Sequence, residues 1–331
     1  MDIKRLDNDS LHEYDKLIEI STEGTIFHKS WWLTMFKDYY SNSYNVEFYG
    51  VFENDNLVAG FPVPTHNKLR FKFVYHPKLT PYLGSFFIDK GIEKRYRVIS
   101  WKKEINEEFA KILKEKGICL YYSFGHKHIN LLPFKWQGFD IGVHYTYVLE
   151  LADLDKIWKN MDVKRRNDIN RCYKQNYSIK FGEIEKYIEL NELTMKRQNH
   201  KILGGELWKK VFDECRKHNC CEIFTAYNDT ELTASLFLVW DNKRSYYIGG
   251  GIKGNDRGAM SLLIWEAIKY TKEKLHLNEF DFEGSGVRSI EFYFRKFGGE
   301  ITPIFFISEN SIKKSIIMKL YNLFSRLHRE A

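Results

Sequence analysis

The stretch FDFEGSGVRSIEFYFRKFGGE, residues 280–300, crowds acids and bases among aromatics. Written as a strand, it puts Phe280 and Phe282 on one face and leaves Asp281 and Glu283 together on the other. A strand inside an α/β unit is covered on both faces and is ordinarily apolar throughout. Two carboxylates there call for a polar cavity, because an unpaired buried charge is costly. The other solutions are a salt bridge to a basic neighbour and an edge strand. In a cavity, carboxyl groups can do acid–base work. The residues that follow read as a short helix with Ile290, Tyr293, Phe294 and Phe297 as its buried stripe. Ser289 is placed to cap it, Gly298 and Gly299 to stop it, and Glu291 and Arg295 to pair across its surface.

A second concentration of chemistry is YYIGGGIKGNDRGAMSLLIWEAIKY, residues 246–270. Gly249, Gly250 and Gly251 end an otherwise apolar strand, where missing side chains let another backbone or an extended ligand approach. Gly258 then opens a helix whose apolar stripe includes Leu262, Ile264, Trp265 and Ile268. The free N–H groups and dipole of such an opening suit a phosphate or carboxylate. The same pattern also serves a plain strand–loop–helix connection.

The elements that must position these groups come in two copies. Residues 47–63, EFYGVFENDNLVAGFPV, align without a gap on residues 222–238, EIFTAYNDTELTASLFL. Each reads as strand, polar turn, strand. More strand follows each hairpin, then a helix (about 102–117 and about 258–275), then another strand (ICLYYSFG and NEFDFEG). Between the copies, 153–176 and 184–200 have helical spacing. No Pro-, Gly- or Ser-rich linker separates the halves, so they are expected to pack as one body. The class is α/β with a mixed sheet.

Composition limits the partners. The chain has 331 residues, 44% of them hydrophobic and 16% aromatic, enough for a large core. Its opening, MDIKRLDNDS, has no apolar signal region, and no run of about 18 apolar residues occurs, so a cytoplasmic protein is the expectation. The five cysteines, Cys119, Cys172, Cys215, Cys220 and Cys221, are scattered and odd in number, which fits reduced thiols. The Cys215, His218, Cys220, Cys221 cluster lacks the paired knuckles of a structural zinc site. The net charge of +7 suits an anionic partner such as a nucleotide, tRNA or lipid headgroup, or simply a solvated basic surface. Trp31 and Trp32 either pack the first half or stack on a sugar or base. His126 and His128 alternate in a loop and read as surface residues. Residues 311–331 form an amphipathic basic helix that either docks on the protein or lies on an anionic membrane.

The duplicated unit, K-R-R-N-D-I at 164–169, L-T-M-K-R at 193–197 and F-D-F-E-G-S…I-E-F-Y-F-R-K-F-G at 280–298 together resemble the FemAB-like branch of the GNAT acyltransferase superfamily. The similarity covers nearly the whole chain and is closest from about 150 to 307. It implies two tandem GNAT-like domains, 1–150 and 151–310, the second carrying the transferase site, followed by the helix at 311–331. The activity implied is transfer of an acyl or aminoacyl group to an amine of a peptidoglycan or surface-polysaccharide precursor. Glu283 would accept the amine's proton, with Asp281 and Tyr293 in the same catalytic group. Backbone N–H groups near Ile248 and Gly249 would hold the oxyanion, and Gly250, Gly258 and Ala259 would complete the donor site. Arg197, Arg165 and Trp32 would face the acceptor, an anionic small molecule or a lipid-linked one. No metal and no resident cofactor is implied; the co-substrate would be acyl-CoA, another acyl thioester or an aminoacyl-tRNA. The implied location is the cytoplasm, including the inner face of the membrane, with 311–331 as a peripheral contact.

Two departures bear on the donor. Cell-wall members commonly carry F-K-x-x-F-G, and here the lysine position is Phe294, while Arg295 lies about 100° further round the helix. GNDRGAMS keeps only Gly258 and Ala259 from the usual pyrophosphate loop of acetyl-CoA enzymes. The readings carried forward are an acyl-thioester N-acyltransferase, an aminoacyl-tRNA-dependent transferase, and a non-catalytic binder of an anionic glycan or nucleotide.

Overall fold

The structure, a computed structural model, describes residues 1–254, 256–284 and 286–310 with positions 315, 316 and 319. The amphipathic helix expected at 311–331 therefore falls, but for three positions, outside the described residues. The chain divides into two compact units, Met1–His144 with Pro303–Ala331, and Tyr145–Thr302. Each is α/β with a mixed sheet, the class read from the sequence.

The first unit runs β1 (Asp2–Arg5), α1 (Leu11–Ile20), α2 (Ser30–Thr34), α3 (Phe36–Tyr40), β2 (Tyr44–Glu53), β3 (Asn56–Lys68), β4 (Phe71–Tyr75), β5 (Phe86–Phe87), α4 (Arg95–Lys116), β6 (Ile118–Ser123) and α5 (Leu132–Trp136). β7 (Asp140–Glu150) leads into the second unit, which continues α6 (Leu154–Asn160), α7 (Val163–Lys174), β8 (Ser178–Phe181), α8 (Ile184–Arg197), α9 (Gly205–Lys217), β9 (Cys221–Asn228), β10 (Glu231–Trp240), β11 (Arg244–Ile252), α10 (Arg257–Glu273), β12 (Glu279–Asp281) and α11 (Arg288–Phe294). β13 (Glu300–Ser308) follows, and its Phe306 and Ile307 pair with β6 in the first unit. The single helical stretch expected at 153–176 is two helices, because Asp153 and Asp162 each cap a new start with a side-chain oxygen.

The repeat survives down to its irregularities. In both copies a two-residue turn at the same aligned position joins the hairpin strands, with Asn54 and Asp55 left-handed in the first and Asp229 left-handed in the second. In both, the second strand carries one extra residue, Val58 in β3 and Thr233 in β10, which are aligned positions. A third antiparallel strand, a helix and a parallel strand follow in each: β4, α4, β6 and β11, α10, β12.

The copies then diverge where the third strand meets the parallel one. In the first unit β4 stops at Tyr75, but residues 83–87 take up its path. Leu83 bridges Phe124 in parallel and accepts from the Gly125 N–H, while Phe86 and Phe87 pair with Gly60 and Ala59 of β3. His76 fastens the detour: its Nδ1–H donates to the Thr80 carbonyl at 2.9 Å and its Nε2 accepts from the Ser123 N–H at 3.1 Å. The space between these strands is thus filled by the unit's own backbone.

Beside His28, three histidines are buried in this first unit. His66 stacks on Tyr75 at 3.7 Å between centroids, and His128 lies against Phe124 at 4.7 Å, a correction to its reading as a surface residue. Burial lowers the pKa of His66 to about 4, of His76 to about 3 and of His128 to about 4. The unfolded chain takes up protons on these rings near their ordinary value of about 6.5, while the folded chain does not until near 4, so stability falls as pH drops through that window. Denaturant unfolding followed from about pH 7.5 to about pH 5 is expected to lose up to about 1.4 kcal/mol per pH unit for each ring. A profile flat across that range would contradict the buried neutral state of all three.

Candidate active site

The second unit's sheet runs β7-β12-β11-β10-β9-β8. α10 lies against β9, β10 and β11 with α7 packed on it, and α8 lies against β10 and β11 with α9 beside it. One continuous apolar core holds Leu236, Leu238 and Phe280 from the strands, Leu263 and Ile264 from α10, and Phe294 and Phe297 from the end of the candidate stretch. Burial of that order contributes about 1.5–3 kcal/mol per large side chain and fixes the strands around the site.

β11 and β12 run in parallel only from Arg244↔Glu279 to Tyr246↔Asp281. β11 then continues to Ile252, but the other chain turns away. Phe282 donates its N–H to Tyr147 of β7 at 3.1 Å, and Glu283 and Gly284 are both left-handed, at φ 55 and 69. A Cβ on Gly284 would sit 2.2 Å from the Tyr145 carbonyl oxygen, so only glycine fits. The alternation read from the sequence therefore ends at Phe282, and Glu283 reaches its place by a turn. A left-handed non-glycine residue is strained by about 1 kcal/mol or more, and such strain gathers at functional sites.

β11 carries a second irregularity at the same level. Its pairing with β10 jumps from Leu238↔Tyr247 to Phe237↔Gly249, so Ile248 is an extra residue. A bulge leaves the extra residue out of the ladder, and this one lies two residues beyond the point where β12 departs.

The carboxylates differ in kind. Asp281 is fully buried; its Oδ1 accepts from Thr146 Oγ1 at 2.7 Å and from the Glu283 N–H at 2.8 Å. It holds the turn. Glu283 is half-buried as a residue, yet its Oε1 is closed from solvent and has no hydrogen-bond partner among the described residues. Burial, and then the charge of Asp281, raise its pKa well above the ordinary carboxyl value. Burial, then Tyr247 and then Glu283 itself, likewise raise Tyr187 well above the usual phenol value, which places the Tyr187 hydroxyl and the Glu283 carboxyl within electrostatic reach. Tyr187, on α8, carries no sequence signal of its own; it is one buried position on a helical stripe.

The glycines of β11 are explained by close approach. A Cβ on Gly251 would lie 2.3 Å from the Leu190 backbone of α8, and one on Gly249 would lie 2.4 Å from the Tyr187 hydroxyl oxygen. Asn191 of α8 donates its side-chain N–H to the Gly250 carbonyl at 3.2 Å. Arg197, exposed at the end of α8, donates to the carbonyls of Gly254 and Ile252.

At the opening of α10 the outcome differs from the expectation. Asp256 caps the helix: its Oδ1 accepts from the Ala259 N–H at 3.1 Å and its Oδ2 from the Tyr177 hydroxyl at 2.8 Å. Gly258 and Ala259 are buried. A pyrophosphate at this helix start would meet a carboxylate already using the Ala259 donor, so these two residues do not form an open anion cradle.

Arg165, expected from the resemblance to face the acceptor, is instead a buried guanidinium, which corrects that expectation. It is 5% exposed, donates to Ser261 Oγ at 2.8 Å, pairs with Asp168 at 3.1 Å and lies 4.8 Å from the Tyr293 ring centroid. Tyr293 Oη meets the same Ser261 hydroxyl at 2.8 Å, and burial pushes its pKa up to about 12. The segment K-R-R-N-D-I thereby braces α7, α10 and α11. Trp32 is also a correction: it has no exposed surface, and its Nε1 donates to Thr80 inside the first unit. Ser289 lies within the first turn of α11 and makes no cap, while Gly298 ends the helical stretch as expected. Glu291 and Arg295 pair at 3.8 Å on the surface. Phe294 is buried, its ring 5.5 Å from Tyr247 and 5.1 Å from Phe282.

Outside α11 a groove of about 690 Å³ is lined by Arg257, Arg288 and Arg295 with Val287, Ser289, Glu291 and Phe292. Among the described residues no group of His, Cys, Asp or Glu could hold a metal ion, and the five cysteines are buried free thiols.

Comparison with known proteins agrees with this geometry. Residues 163–295 match the family model described as acetyltransferase (GNAT) domain. The crystal structure of FemX superimposes with a TM-score of 0.69 at 12% identity over 98% of this chain and 99% of that one. L-PGS from Bacillus licheniformis gives 0.56 at 11% identity over 97% and 98%. A tandem GNAT protein from the clavulanic acid biosynthesis pathway gives 0.50 at 9% identity over 93% and 98%. No curated protein matches. The chain has the fold of these tandem GNAT structures, and the GNAT-domain match falls within its second unit. Among the described residues no helix is long and apolar enough to cross a membrane.

Two outcomes follow for variants. Because the raised pKa of Glu283 means that the folded state holds a proton which the unfolded chain releases above about 4.5, stability falls as pH rises beyond that value. Glu283→Gln removes this penalty and is expected to melt higher than the native protein near neutral pH; an unchanged or lower melting temperature would contradict the buried, unpartnered carboxyl. Gly251→Ala is expected to destabilise by about 1–3 kcal/mol in denaturant unfolding, because its methyl overlaps the α8 backbone.

Proposed function

We propose that the second unit is an N-acyltransferase that moves an acyl group from a thioester donor to an amino group of a cell-wall or surface-polysaccharide precursor. The observation that carries this reading is the Glu283 carboxyl, its Oε1 buried without a partner among the described residues, just past the point where β11 and β12 separate. The donor's acyl arm lies between the two strands with its carbonyl oxygen toward the Ile248 and Gly249 N–H groups. The acceptor arrives as an ammonium, whose positive charge makes the Glu283 carboxylate favourable again, and the acid releases its proton to solvent. Glu283 then takes one proton from the ammonium, the freed amine attacks the carbonyl carbon, and the N–H groups hold the developing oxyanion. Collapse breaks the carbon–sulfur bond, the leaving thiolate takes the second proton from the attacking nitrogen, the amide is released, and Glu283 is left protonated as it began.

Phosphates of the donor fit the groove with Arg257, Arg288 and Arg295 rather than the α10 opening that Asp256 occupies. Arg197, oriented by backbone carbonyls, is assigned to the anionic acceptor. Phe294, where cell-wall members carry lysine, favours the thioester over an aminoacyl-tRNA donor. The closed α10 opening favours the tRNA reading instead, since a tRNA end has no pyrophosphate to place there. The Tyr247 and Phe294 rings, which close one side of the strand separation, favour a third reading, recognition without turnover.

Thermal-shift measurements with acyl-CoAs, charged tRNA and nucleotide sugars separate these. Stabilisation by acyl-CoA that Arg257→Ala and Arg288→Ala remove is the expected result; stabilisation by charged tRNA alone would transfer the reading to the second donor. With the donor in hand, Glu283→Gln is expected to lower turnover by about 10² or more while the fold persists. Near-normal turnover would remove Glu283 as the base, and ligand stabilisation without turnover under any donor would leave the binder.

A further inference from the structure

The first unit carries a surface that neither its core nor the proposed chemistry uses. The buried stripe of α4 begins only at Ile105, so the turns before it stand clear of the core of their unit. On those turns Tyr96 is 62% exposed and Ile99 44%, and with Lys103 they fall at i, i+3 and i+7, one helical stripe. Lys103 lies over the Trp136 ring of α5 at 4.1 Å, which continues the stripe onto α5, where Leu132 and Trp136 sit one turn apart at 51% and 54% exposure. Exposed large apolar side chains are ordinary when scattered, but a contiguous group marks an interaction site.

Its surroundings are basic. Residues 90–103 hold six Lys or Arg against one Glu, and residues 126–136 hold two Lys and no acid. The first turn of α4 contains no acidic residue, and Lys94 at its cap makes no side-chain capping hydrogen bond. Arg95 and Arg97 thus sit at the positive end of the helix dipole, where Asp or Glu would be stabilising. That local conflict is relieved by an external negative charge.

We infer that the α4–α5 face of the first unit docks on an anionic lipid bilayer. Trp136 and Tyr96 have the amphipathic rings that settle at headgroup depth, and Ile99 and Leu132 enter the acyl boundary beside them. Lys94, Arg95, Arg97 and Lys103 face the anionic headgroups. RNA would satisfy the basic residues and stack on the rings but gives the two aliphatic side chains nothing to enter, which is why the bilayer is the occupant chosen. The surface is independent of the donor and acceptor of the second unit.

Co-sedimentation of the full chain with vesicles tests this. Binding to vesicles of phosphatidylcholine with phosphatidylglycerol, and little to phosphatidylcholine alone, is expected. Each basic residue near such a surface is worth about fivefold, so R95Q/R97Q is expected to weaken partitioning by about 25-fold, and I99S/W136S by about tenfold or more. All four positions are exposed, and unchanged melting curves confirm the folds. Absence of binding, equal binding to both vesicle types, or variants that partition like the native chain would each overturn the inference, the last by placing the contact elsewhere. Binding of bulk tRNA that R95Q/R97Q abolishes, without vesicle binding, would overturn it in favour of nucleic acid.

Discussion

The parting of β11 from β12 after the Tyr246↔Asp281 pair governs the second unit. A sheet buried on both faces has no room for a ligand between its strands unless two neighbours separate, and separation leaves backbone groups without ladder partners. Here the departing chain keeps its antiparallel pairing to β7, the Phe282 N–H donating to the Tyr147 carbonyl, while β11 keeps its pairing to β10 through the Ile248 bulge. The first unit shows the alternative. There the corresponding space is occupied by residues 83–87, tied to β3 on one side and to the end of β6 on the other, and His76 fixes the detour. One duplicated plan thus gives a zipped copy and an open one.

Opening the strands sets the remaining requirements. Glu283 turns left-handed where β12 ends, Gly284 must be glycine to clear Tyr145, and buried Asp281 holds the turn. The acid that results is stabilised as its neutral form, which is a poor base until a cation arrives. In the proposed reaction this links reactivity to the arrival of the acceptor. Rigidity comes from outside the opening: the Arg165, Asp168, Ser261 and Tyr293 network on one face of the sheet, and the glycine-mediated contact of α8 with β11 on the other.

Periodicity made the frame legible and left the site half-read. The hairpins of the two copies alternate cleanly and share their turn and bulge positions, so the repeat shows without coordinates. Phe294 and Phe297 fall in the core as their spacing requires. Asp281 and Glu283 were singled out by composition, but a period-two argument cannot see that the strand stops between them. Arg165 reads as a solvated base because its partners, Ser261 and Tyr293, are about 100 or more residues away in sequence. Asp256 is an ordinary capping residue by type; that its carboxylate displaces an anion site depends on Tyr177 and on the geometry of the loop. Tyr187 and His128 show no signal because burial of a single polar ring is decided by the tertiary neighbours.

The central claim is that Glu283 is a protonated acid where β11 and β12 separate. Infrared difference spectroscopy of the native chain against Glu283→Gln near neutral pH reads that state directly. The account expects a protonated carboxyl C=O stretch in the native protein that the substitution removes, and its loss when an amine acceptor binds. An ionised carboxylate band assigned to Glu283 in the free protein would contradict it.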